Sequence, residues 1–116
     1  MTYVDGFVLA VRTADRETYR RYAESTAAWF REKGATSLVE CWGDDVPDGE
    51  LTSFPMAVRK AADETVVFSW VIWPDRATRD AAHTAMSTDD ATAMFGPMPF
   101  DGKRMIYGGF EMIVNA

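Results

Sequence analysis

Three stretches of this chain are apolar on both of their alternating faces. In the first, Tyr3 to Arg12, the residues Tyr3, Phe7, Leu9 and Val11 share one face and Val4, Val8 and Ala10 the other. In the second, Val66 to Trp73, the set Val66, Phe68, Trp70 and Ile72 opposes Val67, Val71 and Trp73. In the third, Arg104 to Val114, Ile106, Phe110, Met112 and Val114 oppose Met105, Tyr107 and Ile113. Each reads as a strand. A fourth strand is predicted from Ser37 to Trp42, with Met56 to Arg59 as a short extended piece and Lys60 to Glu64 as a polar turn. Between the strands the period changes. Tyr19, Tyr22, Ala23, Thr26, Trp29 and Phe30 recur at helical spacing, with Asp15 as the expected N-cap and Gly34 as the C′ stop. Pro74 ends the strand before it, and Asp75 caps a second helix from Arg76 to about Met86. A shorter helix is predicted to start at Thr88 or Asp89 and to stop at Gly96-Pro97. The order is strand, helix, two strands, helix in two pieces, strand. This is the α+β, ferredoxin-like βαββαβ pattern, as one domain over residues 1–116.

The two-faced strands carry a further expectation. An antiparallel sheet with one wet face alternates apolar and polar residues. In a ferredoxin-like domain the helices cover one face only, so the other face presents a large apolar patch to water. Monomers rarely tolerate such patches. The economical solution is a homodimer, with two sheets packed face to face about 10 Å apart. One face also carries Asp5, Glu40 and Glu111 beside Tyr3, Trp42 and Tyr107. Buried carboxylates need partners, and Arg12, Arg59 or groups of a symmetry mate are the candidates.

Composition narrows the function classes. Hydrophobic residues make up 47% of the chain, which argues for a packed core rather than disorder. The net charge of −6 opposes binding to phosphate backbones and to anionic membrane surfaces, so neither nucleic acid nor membrane is expected as a partner. The single cysteine, Cys41, allows no intrachain disulfide and no thiolate zinc site, and is read as a small buried hydrophobe. No signal-peptide pattern and no membrane-length apolar run is visible, which leads to a cytoplasmic expectation.

Several blocks resemble a known family: Tyr3-Val4-Asp5-Gly6-Phe7-Val8, Val39-Glu40-Cys41-Trp42, Asp45-Val46-Pro47-Asp48-Gly49, Val66-Val67-Phe68-Ser69-Trp70, and the long run from Met98-Pro99-Phe100-Asp101-Gly102-Lys103-Arg104 to Met105-Ile106-Tyr107-Gly108-Gly109-Phe110. On these the chain is similar to the YbaA-like family of small bacterial proteins of unknown function. The resemblance implies a dimeric α/β barrel. That superfamily includes cofactor-independent monooxygenases, lactone isomerases and haem-dependent dismutases. The resemblance assigns no catalytic residue, and a shared fold does not fix function.

The candidate chemistry is sparse. His83, the only histidine, falls opposite Ala77, Ala81, Ala82 and Ala85 and is expected in solvent, so a haem ligand is not expected. Asp44, Asp45 and Asp48 crowd one loop, but Asp favours turns and the spacing matches no calcium loop; no metal is expected. Glu40 could be a base raised in pKa by Trp42 and Trp70, or a structural carboxylate. Lys103 and Arg104 could hold an anion, or Arg104 could pair with Asp5, Glu40, Asp101 or Glu111. Tyr107 adds a phenol. Glu40, Trp42, Trp70, Lys103, Arg104 and Tyr107 together would suit a planar aromatic or anionic ligand in a cleft between sheet and helices. The same residues would equally serve a cofactor-independent monooxygenase- or isomerase-like enzyme. Gly108-Gly109 is expected to form a bulge that bends the last strand. No nucleotide loop, triad spacing or paired-cysteine motif is present, and no cofactor is expected.

Overall fold

The computed structural model describes residues 1–88 and 94–116. Its four strands, β1 (Tyr3–Arg12), β2 (Ser37–Trp42), β3 (Glu64–Trp73) and β4 (Ile106–Glu111), form one antiparallel sheet in the order β2-β3-β1-β4. Three helices lie among the described residues: α1 (Arg16–Glu32), the single turn α2 (Phe54–Ala57) and α3 (Arg76–Thr88). None is long and apolar enough to cross a membrane. Most of the short helix expected from Thr88 or Asp89 to Gly96 lies outside the described residues.

The boundaries follow local chemistry. Gly34 has φ +110°. Its N–H donates to the Arg31 carbonyl and the N–H of Ala35 to that of Phe30, the paired bonds of a Schellman stop. Asp75 caps α3, its carboxylate accepting from the Thr78 amide and hydroxyl at 2.8 Å each. Asp15 does not cap α1 as expected. It sits in a 3-10 turn, Thr13–Asp15, and makes no capping bond. The segment expected to be extended is helical instead: Ser53 caps α2 by accepting from the Met56 amide at 3.0 Å, and Pro55 falls in the first turn, where its missing N–H costs nothing. Behind α2, Val58 is fully buried against Ala10 and Val66.

Register decides which residues meet. Glu40 pairs with Ser69, Ser69 with Phe7, and Phe7 with Tyr107, so one row crosses all four strands. That row lies on the face covered by the helices. There Tyr19 and Ala23 of α1 pack on Leu9, Val11 and Val67, and Ala82 of α3 packs with Tyr3, Val71 and Trp73. β4 pairs with β1 without interruption from Glu111 to Ile106, so the expected bulge at Gly108-Gly109 is absent. Gly109 answers a different need. A Cβ there would lie 2.6 Å from the Tyr3 hydroxyl and 2.8 Å from Arg79 Nη2.

Among the described residues the opposite face has no helical layer beyond the α2 segment at one end. Phe68, Ile106 and Phe110 are exposed on it, and Phe54 leans on Phe68 with ring centroids 5.7 Å apart. Cys41 also lies exposed there, not buried as its type suggests, because it points away from the helices on the edge strand β2.

Candidate functional site

α1 does not close on the sheet along its whole length. A cleft of about 280 Å³ separates it from the floor formed by Phe7, Leu9, Ser69 and Val71, with Phe100 and Met105 closing one side. The gap is set by bulky side chains on both walls. Tyr22 and Phe100 meet edge to face at 6.0 Å, as do Tyr19 and Phe100 at 5.9 Å, so aromatic rings from α1 and from the loop before β4 wall this side of the cleft. The surroundings are overwhelmingly apolar, with a few convergent polar groups, the usual make-up of a small-molecule pocket.

The chief polar group is a carboxylate–phenol pair. Tyr19 Oη donates to Glu40 Oε1 at 2.8 Å and lies 3.0 Å from Oε2. Glu40 sits on the edge strand β2 and is exposed as a residue, with its carboxylate bonded to Tyr19 at the lining of both openings. Burial pushes that carboxyl above the usual range, and the hydrogen bonds of Tyr19 and Ser69 only partly offset it. Burial and the neighbouring Glu40 together hold the Tyr19 phenol well above its ordinary pKa, so it is a donor throughout the physiological range. On the far side of this pair a second opening, also about 280 Å³, carries Arg16 and Trp42, the guanidinium 5.4 Å from the indole centroid.

A third lobe of about 240 Å³ continues the cleft past Phe7, Phe30, Met86 and Met105 to Tyr107 and His83. Here the structure overturns the exposed placement of His83. Its Nε2 lies 2.9 Å from Asp5 Oδ2, and the side chain is 35% exposed. Asp5 itself is 2% exposed. It also accepts from Trp73 Nε1 at 3.0 Å and from Arg79, whose Nε and Nη2 reach Oδ1 at 3.0 and 2.9 Å. Burial alone would raise the Asp5 carboxyl; the hydrogen bonds from His83, Arg79 and Trp73 outweigh it and leave the pKa lowered. The stripe of α3 that faces the sheet is therefore Arg79, Ala82, His83 and Met86, with Ala82 buried and the other three half-buried. Ala77 and Ala81, read from sequence as core markers, are exposed. Alanine fits either side of a helix, whereas a buried carboxylate beneath the helix selects the charged residues.

The remaining expected site residues divide. Glu40 and Trp42 share the cleft side of the sheet, and Tyr107 stands at its other end. Trp70 belongs to the opposite face, where it meets Phe68 edge to face at 5.5 Å, so it does not join Trp42 around Glu40. Arg104 does not line the cleft. It grips Glu64 with both ends of its fork, at 2.8 and 2.7 Å, while its Nε meets Asp101 at 3.1 Å and Nη1 the Arg59 carbonyl at 2.9 Å. Of the partners expected for Arg104, Asp101 is present and Asp5, Glu40 and Glu111 are not; Glu64 is the strongest. Lys103 is exposed, and its backbone N–H donates to Asp101. Sequence reasoning missed Tyr19, Arg79 and the role of His83. The i, i+4 spacing of Arg79 and His83 was the available signal, since it puts both over one spot. Gly109, opposite Asp5 in register, leaves the room Arg79 occupies.

Residues 2–102 match a family described as "Protein of unknown function (DUF1428)". The chain is 53% identical over 116 residues to the uncharacterized protein YbaA of Escherichia coli K12, with 99% of each chain covered. The same figures hold for the uncharacterized protein YbaA of Shigella flexneri.

Proposed function

For a chain that belongs to the DUF1428 family of proteins of unknown function, we propose the role of a homodimeric small-molecule-binding protein that takes a planar aromatic ligand between sheet and α1. The observation that carries this reading is the apolar, aromatic-walled cleft of about 280 Å³ with Glu40 and Tyr19 as its polar fixture. A ring bearing a hydroxyl or carbonyl suits it. The ring stacks among Phe7, Phe100 and Tyr22, and its oxygen exchanges hydrogen bonds with the carboxyl–phenol pair. On this reading the protomer is ferredoxin-like, and two copies form a dimeric α/β barrel. The strand order and the uncovered apolar face, with Phe68, Ile106 and Phe110 open to water, support it.

A second reading, a cofactor-independent enzyme of monooxygenase or isomerase type, draws on the raised Glu40 carboxyl. A carboxyl that holds its proton more tightly is a better general acid near neutrality. Thermal denaturation with a panel of phenols and quinones tests the first reading. Stabilisation by hydroxylated rings that weakens in Tyr19→Phe and Glu40→Gln is the expected result. A panel in which no compound raises the melting temperature overturns it. Product formation from a bound compound, lost in Glu40→Gln, selects the enzyme.

A further inference from the structure

We propose that His83, oriented by Asp5, is a proton acceptor at the far lobe of the cleft, so that a ligand with a weakly acidic hydroxyl is held there as its anion. The inference rests on the cleft reading above and adds the ionisation state and class of the ligand: phenols and stable enols rather than neutral aromatics.

Geometry carries the argument. Nε2 of His83 is committed to Asp5 Oδ2 at 2.9 Å, and the Asp5 carboxylate can only accept, so in the neutral ring Nε2 bears the proton and Nδ1 the lone pair. Nδ1 makes no hydrogen bond among the described residues, and His83 borders an open lobe lined by Phe7, Phe30, Met86, Ser87, Met105 and Tyr107. In the neutral form, then, a ring whose lone pair is on Nδ1 stands beside a largely apolar, open lobe, its tautomer fixed from behind by a carboxylate. That carboxylate is locked in turn by Trp73 and Arg79.

Charge points the same way. The groups around His83 are Asp5 on β1, Arg79 and Asp80 on α3, and the Tyr107 phenol on β4; Arg79 joins Asp5 to Asp80, and Asp80 also meets Arg76. Two cations and two carboxylates balance while the imidazole is neutral. When His83 takes a proton, the cluster gains one positive charge facing the lobe, and the anion formed in the same step supplies its counter-charge. The ligand O–H bond breaks, the Nδ1–H bond forms, and no oxidant or other reactant is needed.

4-Nitrophenol is the probe, because its anion is yellow and its neutral form is not. At a pH below its own pKa, the wild-type protein is expected to develop a saturable yellow band as it binds. His83→Gln is expected to bind the compound, as followed by calorimetry, with the ionised fraction reduced about tenfold, one pKa unit. Colourless binding by the wild-type protein overturns the proton-acceptor role and leaves the cleft reading standing. Absence of binding by this or any other phenol overturns both. A band that survives in His83→Gln but disappears in Glu40→Gln assigns the proton to Glu40 and overturns the proposal. Nitrogen-15 NMR of the single histidine gives a check without ligand: the neutral ring is expected to carry its proton on Nε2, and a proton on Nδ1 overturns the assignment.

Discussion

At the scale of single residues, two glutamates are shifted in opposite directions and pull stability in opposite directions with pH. Glu64 is bound end-on by Arg104, and chiefly for that reason its carboxyl is lowered to about 2. The folded protein thus holds the ionised form more tightly than the unfolded chain does. Its contribution is complete above the unfolded value of about 4.5 and is lost as pH falls towards about 2. Asp5, also lowered, adds to the same acid limb. In Arg104→Ala the urea midpoint is expected to drop at pH 7 and to depend less steeply on pH in that window; Arg104→Lys, which keeps the charge but not the fork, should restore part of it. An unchanged acid limb in Arg104→Ala would count against the pairing. Glu40 behaves in reverse. Its folded pKa is raised, so ionising it costs stability as pH climbs through that value. Glu40→Gln keeps an acceptor for Tyr19 and removes the crowded charge, so its melting temperature at pH 7 is expected to exceed that of the wild-type protein. A lower one would mean that the charge is better solvated than its surroundings imply.

At the scale of elements, two glycines show why the layers sit where they do. Gly34 ends α1 with a positive φ, and a Cβ there would lie 2.7 Å from Thr78 Cγ2 at the start of α3. Gly34→Ala combines backbone strain with that collision and is expected to cost about 1–2 kcal/mol from the backbone alone, measured by denaturant unfolding. Gly109 has no unusual φ; its constraint is contact. An alanine there would displace the Tyr3 ring and the Arg79 fork together, loosening α3 over β1 and β4. Gly109→Ala is therefore expected to lower stability and to shift the His83 ring resonances, because the same movement disturbs Asp5. If those resonances stay in place, α3 is anchored elsewhere. Trp73 is the other anchor, fully buried and bonded to Asp5. Trp73→Ala is expected to cost about 3–5 kcal/mol, since it opens a cavity and removes one of the donors that satisfy a buried carboxylate.

At the scale of the whole molecule, the described residues cover one side of the sheet with α1 and α3 and the other only at one end, with the α2 segment. Phe68 and Phe110 are 40% and 60% exposed on the other, in a chain that buries equally apolar residues beneath its helices. A second copy laid against this face would cover them, and would also cover Cys41. Light scattering is expected to give about twice the chain's 13.0 kDa. Phe68→Arg, which puts a cation in the middle of the face without touching the cleft, is expected to give the single-chain mass with the secondary structure kept. A dimer that survives Phe68→Arg unchanged would place the interface elsewhere.

What the sequence determined by itself was whatever depends on period and on near neighbours. The limits of β1 and β2, the Gly34 stop, the Asp75 cap and the order of the strands and the two long helices all follow from alternation, helical spacing and cap chemistry, which act within a few residues. The two-faced strands likewise told of a sheet with more apolar surface than its own helices could cover. The sites depend on pairings far apart in the chain. Asp5 meets Arg79 and His83 because register places β1 under α3, and Glu64 meets Arg104 because the turn before β4 folds back to the start of β3. Glu40 gains Tyr19 because α1 crosses above β2. No local pattern encodes such distances. A helical histidine among alanines reads as exposed until the tertiary structure puts a buried carboxylate beneath it, and Trp70, on the strand next to Glu40, reads as its neighbour until the pleat turns it to the other side. Tertiary structure decided these points, because the cost of an unpaired buried charge is felt only once packing has removed the water.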